Sequence, residues 1–362
     1  MGRYKSDNKV VFNFGWSALF VFLVLLPISV NAKVYEWTVA QSWGKDFVYY
    51  SAAVDKFIDR VQAMSQGRIK LKKSSREDHE KPQGMFEAVR DGEFEIANTA
   101  ASWWGEFDQN TLLVTSLPFG MTSMEQYTWF YYGGGFDLAQ KVYSKHGLMY
   151  FPGGVTGNQM GGWFGKEIST LDDLKGLKLR IPGLPGRVYE AFGVEVTNLP
   201  PNELSSALES GKIDAVEWGG PAFDITMGYH KVAPYYYTGW HDPAAENAWL
   251  INREAFNSLP EDLQDVLEVA MKVSAFEVMM ELNNAHTLKL DLMLKEYPDI
   301  KIRAFPSSIL REFRGKYIEI IEEMAGKDSL AKEILESIRN YRQKVRLWTR
   351  VSDQAFLNNT AF

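Results

Sequence analysis

Three polar residues of this chain stand where their surroundings make polarity costly. Glu217 closes the run KIDAVEW (212–218), in which Ile213, Ala215 and Val216 are strand-like, and Gly219, Gly220 and Pro221 follow directly. A carboxylate in such company needs a partner. Arg180 ends LKLRIPG (177–183), where Leu177, Leu179 and Ile181 share one face and the guanidinium emerges just before Pro182 and Gly183. Arginine at that place suits the gripping of a carboxylate by two parallel hydrogen bonds. Gln159 sits in the glycine-rich GGVTGNQMGGW (153–163), where little but a functional side chain would fill space. With Trp103, Trp104, Trp163, Trp218 and Trp240 available as walls, these residues describe a small pocket for a carboxylate. The plainer alternative makes Arg180 and Glu217 a buried ion pair and nothing more. Such a pair rarely repays its desolvation, yet on the residues alone both readings stand.

Other chemistry is hard to find. Five histidines are present, His79, His146, His230, His241 and His286, and none has the HExxH spacing of a metalloprotease. No nucleophile elbow, Walker loop or dinucleotide-binding turn appears. The glycines at 133–135 lack the preceding strand and the following Lys-Ser/Thr of a phosphate cradle. His79, in SSREDHEKPQ (74–83), reads as a solvated loop residue, and His286 as a residue of a long helix. The chain reads as a binder before it reads as an enzyme.

The elements that must position these groups alternate. VYEWTVA (34–40) is a strand, 46–67 a helix ending on Gly67, RIKLKK (68–73) a strand, 82–93 a helix opened by Pro82, and FEIANTA (94–100) a strand. The alternation returns with LDDLKG (171–176), LKLRIPG, GRVYEAFG (186–193), VEVTNLP (194–200), the helix NELSSALESG (202–211) capped by Asn202, and KIDAVEW. This argues an α/β fold with largely parallel sheets, in which ligands collect at the carboxyl ends of strands. The last third differs. From a capping box, Ser258 to Glu261 with Pro260 in the first turn, the chain runs to Tyr297 without Gly or Pro. As one helix, unless bent near NNAHT (283–287), that segment is ~55 Å long and lies across two domains. A strand IKIRAF (300–305) and helices over 309–326 and 329–357 complete the chain, and the last of them leaves room for a partner subunit.

The ends and the composition bound the setting. Arg3, Lys5 and Lys9 precede the apolar Ala18–Ile28, and Val30–Ala32 offers small residues for cleavage, the three parts of a secretory signal peptide over 1–32. The apolar stretch is short for a membrane anchor and is broken by Pro27. The mature chain is expected from about Lys33, in the periplasm. Net charge is −7, and loss of the basic leader makes the rest more acidic, which argues against nucleic acid. No cysteine is present, so the exported chain must rest on a large core without disulfides.

At DLKGLKLRIPG (173–183), LSSALESGKIDAVEWGGP (204–221) and INREAFNSLPEDLQDVLEVA (251–270) the sequence resembles the DctP-type solute receptors of TRAP transporters. It looks closest to the branch that binds 2-oxo acids and related small monocarboxylates, and the likeness runs from about Val34 to the C-terminus. The resemblance implies a two-domain periplasmic binding protein fold with a hinge and a long helix spanning both domains. On that pattern 33–154, with part of 244–300, is a first domain and 155–243 a second, while 244–362 holds the spanning helix, a returning strand and the C-terminal helices. The arginine matching Arg180 binds the substrate carboxylate in this branch. A sodium or calcium ion is held by the residues matching Gln159 and Glu217 and by the carbonyl of Trp218, and bridges to the substrate. Some members form dimers by exchanging the C-terminal helix, and all deliver ligand to membrane components of the transporter. The chain departs from the family in the charged 73–83, where relatives carry a glycine-containing loop. GWHDP (239–243) stands where relatives often supply an acidic ligand, which makes His241 and Asp242 candidates there. Trp104 is a candidate lid from the first domain.

Two other functions stay in view. An exported metal-dependent lyase or hydrolase acting on 2-oxo acids would need a general base, for which only His241 or Asp242 is available. An extracytoplasmic sensor component would need a further partner.

Overall fold

The computed structural model describes residues 33–44, 47–75, 78, 84–197, 199 and 201–360. The expected leader over 1–32, His79 and much of the 73–83 segment lie outside the described residues.

The chain begins with β1 (Tyr35–Gln41), α1 (Val48–Met64), β2 (Ile69–Ser74), α2 (Met85–Arg90) and β3 (Ile96–Ala100). Helix α1 buries Tyr50, Ala53, Val54, Phe57, Ile58 and Val61, a stripe at helical spacing. It stops where Gln66 and Gly67 take positive φ and the Gly67 amide donates to Gln62 O over 2.9 Å. Next come α3 (Ser123–Tyr132), α4 (Gly135–Ser144) and β4 (Leu148–Val155). The chain continues through β5 (Gly162–Phe164), β6 (Lys178–Arg180), α5 (Gly183–Glu190), β7 (Glu195–Thr197) and α6 (Leu204–Glu209). Then follow β8 (Ala215–Val216), α7 (Pro221–Met227), β9 (Tyr235–Tyr237), β10 (Glu246–Asn252) and α8 (Arg253–Asn257). The end comprises α9 (Glu261–Glu296), β11 (Lys301–Arg303), α10 (Ser307–Lys327), α11 (Ser329–Thr349), a π-helical turn (Arg350–Gln354) and α12 (Ala355–Thr360).

Two sheets result, ordered β2-β1-β3-β10-β4 and β11-β9-β5-β8-β6-β7. Both sheets are largely parallel, as the alternation predicts, but each holds one strand running against its neighbours, β10 in the first and β5 in the second. The reason lies in the connections. A helical crossover returns the chain to the same end of a sheet, but β5 and β10 are reached by short direct crossings from the other sheet. Each enters at the carboxyl edge and must run backwards. Residues 156–161 and 238–245, which make these crossings, therefore lie between the two sheets.

Helix α9 is 36 residues long and unbroken through Asn283–Thr287, about 54 Å at the usual rise. It packs on α1 and on β4 of the first sheet, and on α7, which follows β8 of the second. The expected capping box is absent: Pro260 is the N-cap, and the Ser258 hydroxyl donates to Ala255 O instead. Asn202 does not cap α6 either, because a 3₁₀ turn over Pro201–Glu203 precedes it. Helix α10 lies on α5, whereas α11 lies on α3 and α4, so this pair also links the two halves.

Candidate binding site

A cavity of about 120 Å³ opens between the two sheets at the carboxyl ends of their parallel strands. Among its lining residues are Arg180, Glu217 and Trp218 from the second sheet, Gln159, His241 and Asp242 from the crossings, and Trp103 from the first half.

Arg180 ends β6 in register with Val216 of β8, so its guanidinium and the Glu217 side chain meet at one edge. Nη1 donates to the Glu217 carbonyl over 2.8 Å, Nε reaches Leu199 O at 3.4 Å, and the Trp218 ring lies 4.8 Å from the guanidinium carbon. Burial lowers the Arg180 pKa and Glu217 opposes it, yet an arginine stays charged at neutral pH. The Glu217 carboxylate stands 4.0 Å from Nη1, close enough to attract and too far to bond. The backbone carbonyl, not the carboxylate, anchors the arginine. A tight ion pair is not what the geometry describes.

Glu217 is buried, and its Oε1 accepts no hydrogen bond. His241 Nε2 approaches this oxygen to 3.3 Å, the two atoms paired by charge and without a well-formed hydrogen bond. Burial would lower the His241 pKa, but Glu217 and Asp242 outweigh it and raise it. Asp242 keeps a sequestered Oδ1 without a donor, and burial lifts its pKa to about 6, against His241 and Ser116. Neither residue of this loop is mere surface. The Gln159 amide donates from Nε2 to Thr156 Oγ1 over 3.2 Å, which orients it, and its backbone N–H donates to Asp242 O over 3.0 Å. That last bond ties the two crossings together. Gly239 makes the approach possible, since a Cβ there would lie 1.8 Å from Gln159 O.

Two buried acceptor oxygens without donors, on Glu217 and Asp242, with an oriented amide beside them, are the setting a hard cation requires. Among the described residues no group of three His, Asp or Glu has metal-ligand spacing. A cation here would rest on mixed oxygen donors.

The tryptophans sort differently from expectation. Trp104 does not line the cavity; it is buried in the first-half core, its ring 5.6 Å from Phe86. In the short 3₁₀ turn Ala101–Trp104, adjacent residues point apart, and the one facing the cavity is Trp103. Trp163 stacks on Tyr236 at 4.0 Å, and Trp240 bonds Tyr189; both are core. Trp43, stacked on Tyr50 at 4.5 Å and 5.2 Å from Trp103, is a wall that sequence reasoning missed. Its indole N–H donates to Asn247 Oδ1 over 3.1 Å, and Asn247 donates in turn to Asn98 over 2.8 Å. Glu246 also went unread. It lines the cavity, accepts from Gly153 N at 3.1 Å and Tyr127 OH at 3.2 Å, and burial outweighs these bonds to raise its pKa to about 8. A carboxyl at the start of a strand otherwise as apolar as AWLI was the available signal.

The description of bacterial extracellular solute-binding protein family 7, DctP, matches residues 39–328. A monocarboxylate 2-oxoacid-binding periplasmic protein of Nostoc sp. is 34% identical over 323 residues, 89% of this chain and 88% of the relative. Among solved structures, a TRAP periplasmic solute-binding protein from Colwellia psychrerythraea with bound calcium and pyruvate superposes with a TM-score of 0.89 at 44% identity, over 90% of this chain and 100% of that one. Another from Pseudoalteromonas atlantica, with bound sodium and pyruvate, gives 0.87 at 44% identity over 91% and 100%.

Proposed function

Since this chain belongs to the bacterial extracellular solute-binding proteins of family 7, we propose that it is the receptor of a TRAP transporter and captures a 2-oxo acid such as pyruvate, or a related small monocarboxylate, together with sodium or calcium. The observation that carries this reading is the convergence, in one cavity, of a backbone-anchored guanidinium with buried oxygens that lack donors. Arg180 has N–H groups left over to hold the acid's carboxylate in a bidentate pair. Gln159, Glu217 and the Trp218 carbonyl hold the cation, with Asp242 beside them. Such an ion supplies positive charge that offsets the buried Glu217 and draws the oxygens of the acid. The Trp218 ring covers the arginine, and Trp103 stands where Trp104 is expected as a lid.

The domains follow from this reading: 33–154 with part of 244–300, then 155–243, with 244–362 bridging them, and closure about the crossings on binding. A leader over 1–32 is removed on the way to the periplasm. The exposed Leu347, Trp348, Val351, Phe356 and Leu357 at the C-terminal end are covered by a second copy of the chain. Light scattering should then give a dimer mass that Trp348→Glu reduces to the monomer.

The family is one of transport receptors, not of enzymes. Prolonged incubation with pyruvate should give no turnover, and sustained product release would favour the metal-dependent lyase or hydrolase instead. The deciding experiment is titration calorimetry of pyruvate and longer 2-oxo acids with and without calcium or sodium. Cation-dependent binding is expected, and failure of every 2-oxo acid to bind at saturating cation would overturn the reading.

A further inference from the structure

His286, on the long helix α9, occupies a place that only one form of its ring can fill. Its Nδ1 accepts the backbone N–H of Ala222, in the first turn of α7, over 3.1 Å. Its Nε2 lies 3.0 Å from the carbonyl of Thr156, at the start of the first crossing. An amide N–H can only donate and a carbonyl can only accept. The ring must therefore be neutral with its proton on Nε2, because an imidazolium would turn an N–H towards the Ala222 N–H. Burial lowers the His286 pKa, with the bond to Thr156 opposing, in keeping with that form. Gly220 supplies an independent sign that the neighbouring turn is built around this ring. A Cβ there would lie 2.7 Å from the ring Cε1 and 2.9 Å from Nδ1, although the Gly220 φ of −157° makes no demand for glycine.

The two segments that the ring joins carry the cation donors. Thr156 stands three residues before Gln159, and its hydroxyl accepts from the Gln159 amide. Ala222 stands just beyond Glu217 and Trp218, and the intervening Gly219 carbonyl accepts from Met160 N over 2.7 Å. We propose that His286 is a positioning residue of the binding site: by bridging Thr156 O and Ala222 N it sets the spacing between the Gln159 segment and the Glu217–Trp218 segment, and so the affinity for cation and acid together. This rests on the receptor reading above. Histidine acts here as an outer support of donors it does not touch, a kind of contact whose loss weakens metal sites severalfold or more.

The test uses the full chain and three variants. A glutamine carboxamide offers an acceptor and a donor flanking one carbon, as the imidazole does, and does not titrate. In calcium-dependent pyruvate titrations His286→Leu should lose roughly tenfold in affinity or more, and His286→Gln should stay close to the parent. Gly220→Ala should fall with the leucine variant, since it displaces a ring that is still present. If His286→Leu does not fold, the contrast between His286→Gln and Gly220→Ala carries the test. Leucine binding as tightly as histidine, or glutamine binding as weakly as alanine at 220, would overturn the proposal. Ring ¹⁵N shifts of the ligand-free chain supply an arm that needs no substrate. A neutral Nε2–H ring at pH 7 supports the bridge, and a charged or Nδ1–H ring overturns it. Should the parent chain bind no acid at all, the receptor reading fails by itself, and the ring shifts still judge the bridge.

Discussion

Arg180 and Glu217 are adjacent in space, and their partnership decides what each is for. Because the arginine is held by the Glu217 carbonyl and by Leu199 O, Arg180→Lys should fold normally while losing the bidentate contact. Calorimetry is expected to show a loss of about 2–5 kcal/mol in acid binding, and unchanged affinity would remove the clamp role. For Glu217→Gln the ion-pair and cation readings give opposite signs. A carboxylate that served only Arg180 would free the arginine when removed, and acid affinity would hold or rise. A carboxylate that holds the cation takes acid affinity down with it, since cation and acid raise each other's binding by the same factor. The second outcome is expected in titrations at saturating calcium. These residues were legible in the sequence because charge inside an apolar run is conspicuous. The choice between Trp103 and Trp104 was not, because a four-residue 3₁₀ turn has no period that separates its inner side from its outer one.

At the scale of elements, the strands bounded by Gly and Pro were legible and those made by the crossings were not. Strand β4 contains Pro152 and two glycines, which suit its place at the edge of the first sheet, paired with β10 alone. The structure accommodates them where its pairing with β10 slips between Asn247 and Ala248. Strand β10 runs straight into α8, so its apolar run carries no period of two to set it apart from a helix. Its first residue offers a test. Glu246 has a pKa raised by burial from 4.5 to about 8. The unfolded chain releases this proton near 4.5, so between there and about 8 only the folded state keeps it. Stability from this group is full below that window and is lost as pH rises through it, by at most ~1.4 kcal/mol per pH unit. Chemical denaturation from pH 5 to 8 should show this decline in the parent and a flatter profile in Glu246→Gln. Parallel profiles would mean that Glu246 is ionised in the fold.

Taken whole, the molecule is two sheets joined by two short crossings and spanned by α9 and by the pair α10–α11. The cavity lies between the sheets, and residues of both line it. Bound acid and cation should therefore draw the halves together, and X-ray scattering should record a smaller radius of gyration with pyruvate and calcium present. Superposable curves at saturation would speak for a site that closes without domain movement. The order of strands also governs when the chain can fold. Strand β10 lies between β3 and β4, so the first sheet has a gap at its centre until residues 246–252 have been made. Until then β3 has one bare edge and β4 has no strand partner, although β1, β2 and β3 can already pair with one another. More than two thirds of the polypeptide must leave the ribosome before its first sheet can be completed, which leaves a long interval in which the chain exists with that sheet still open.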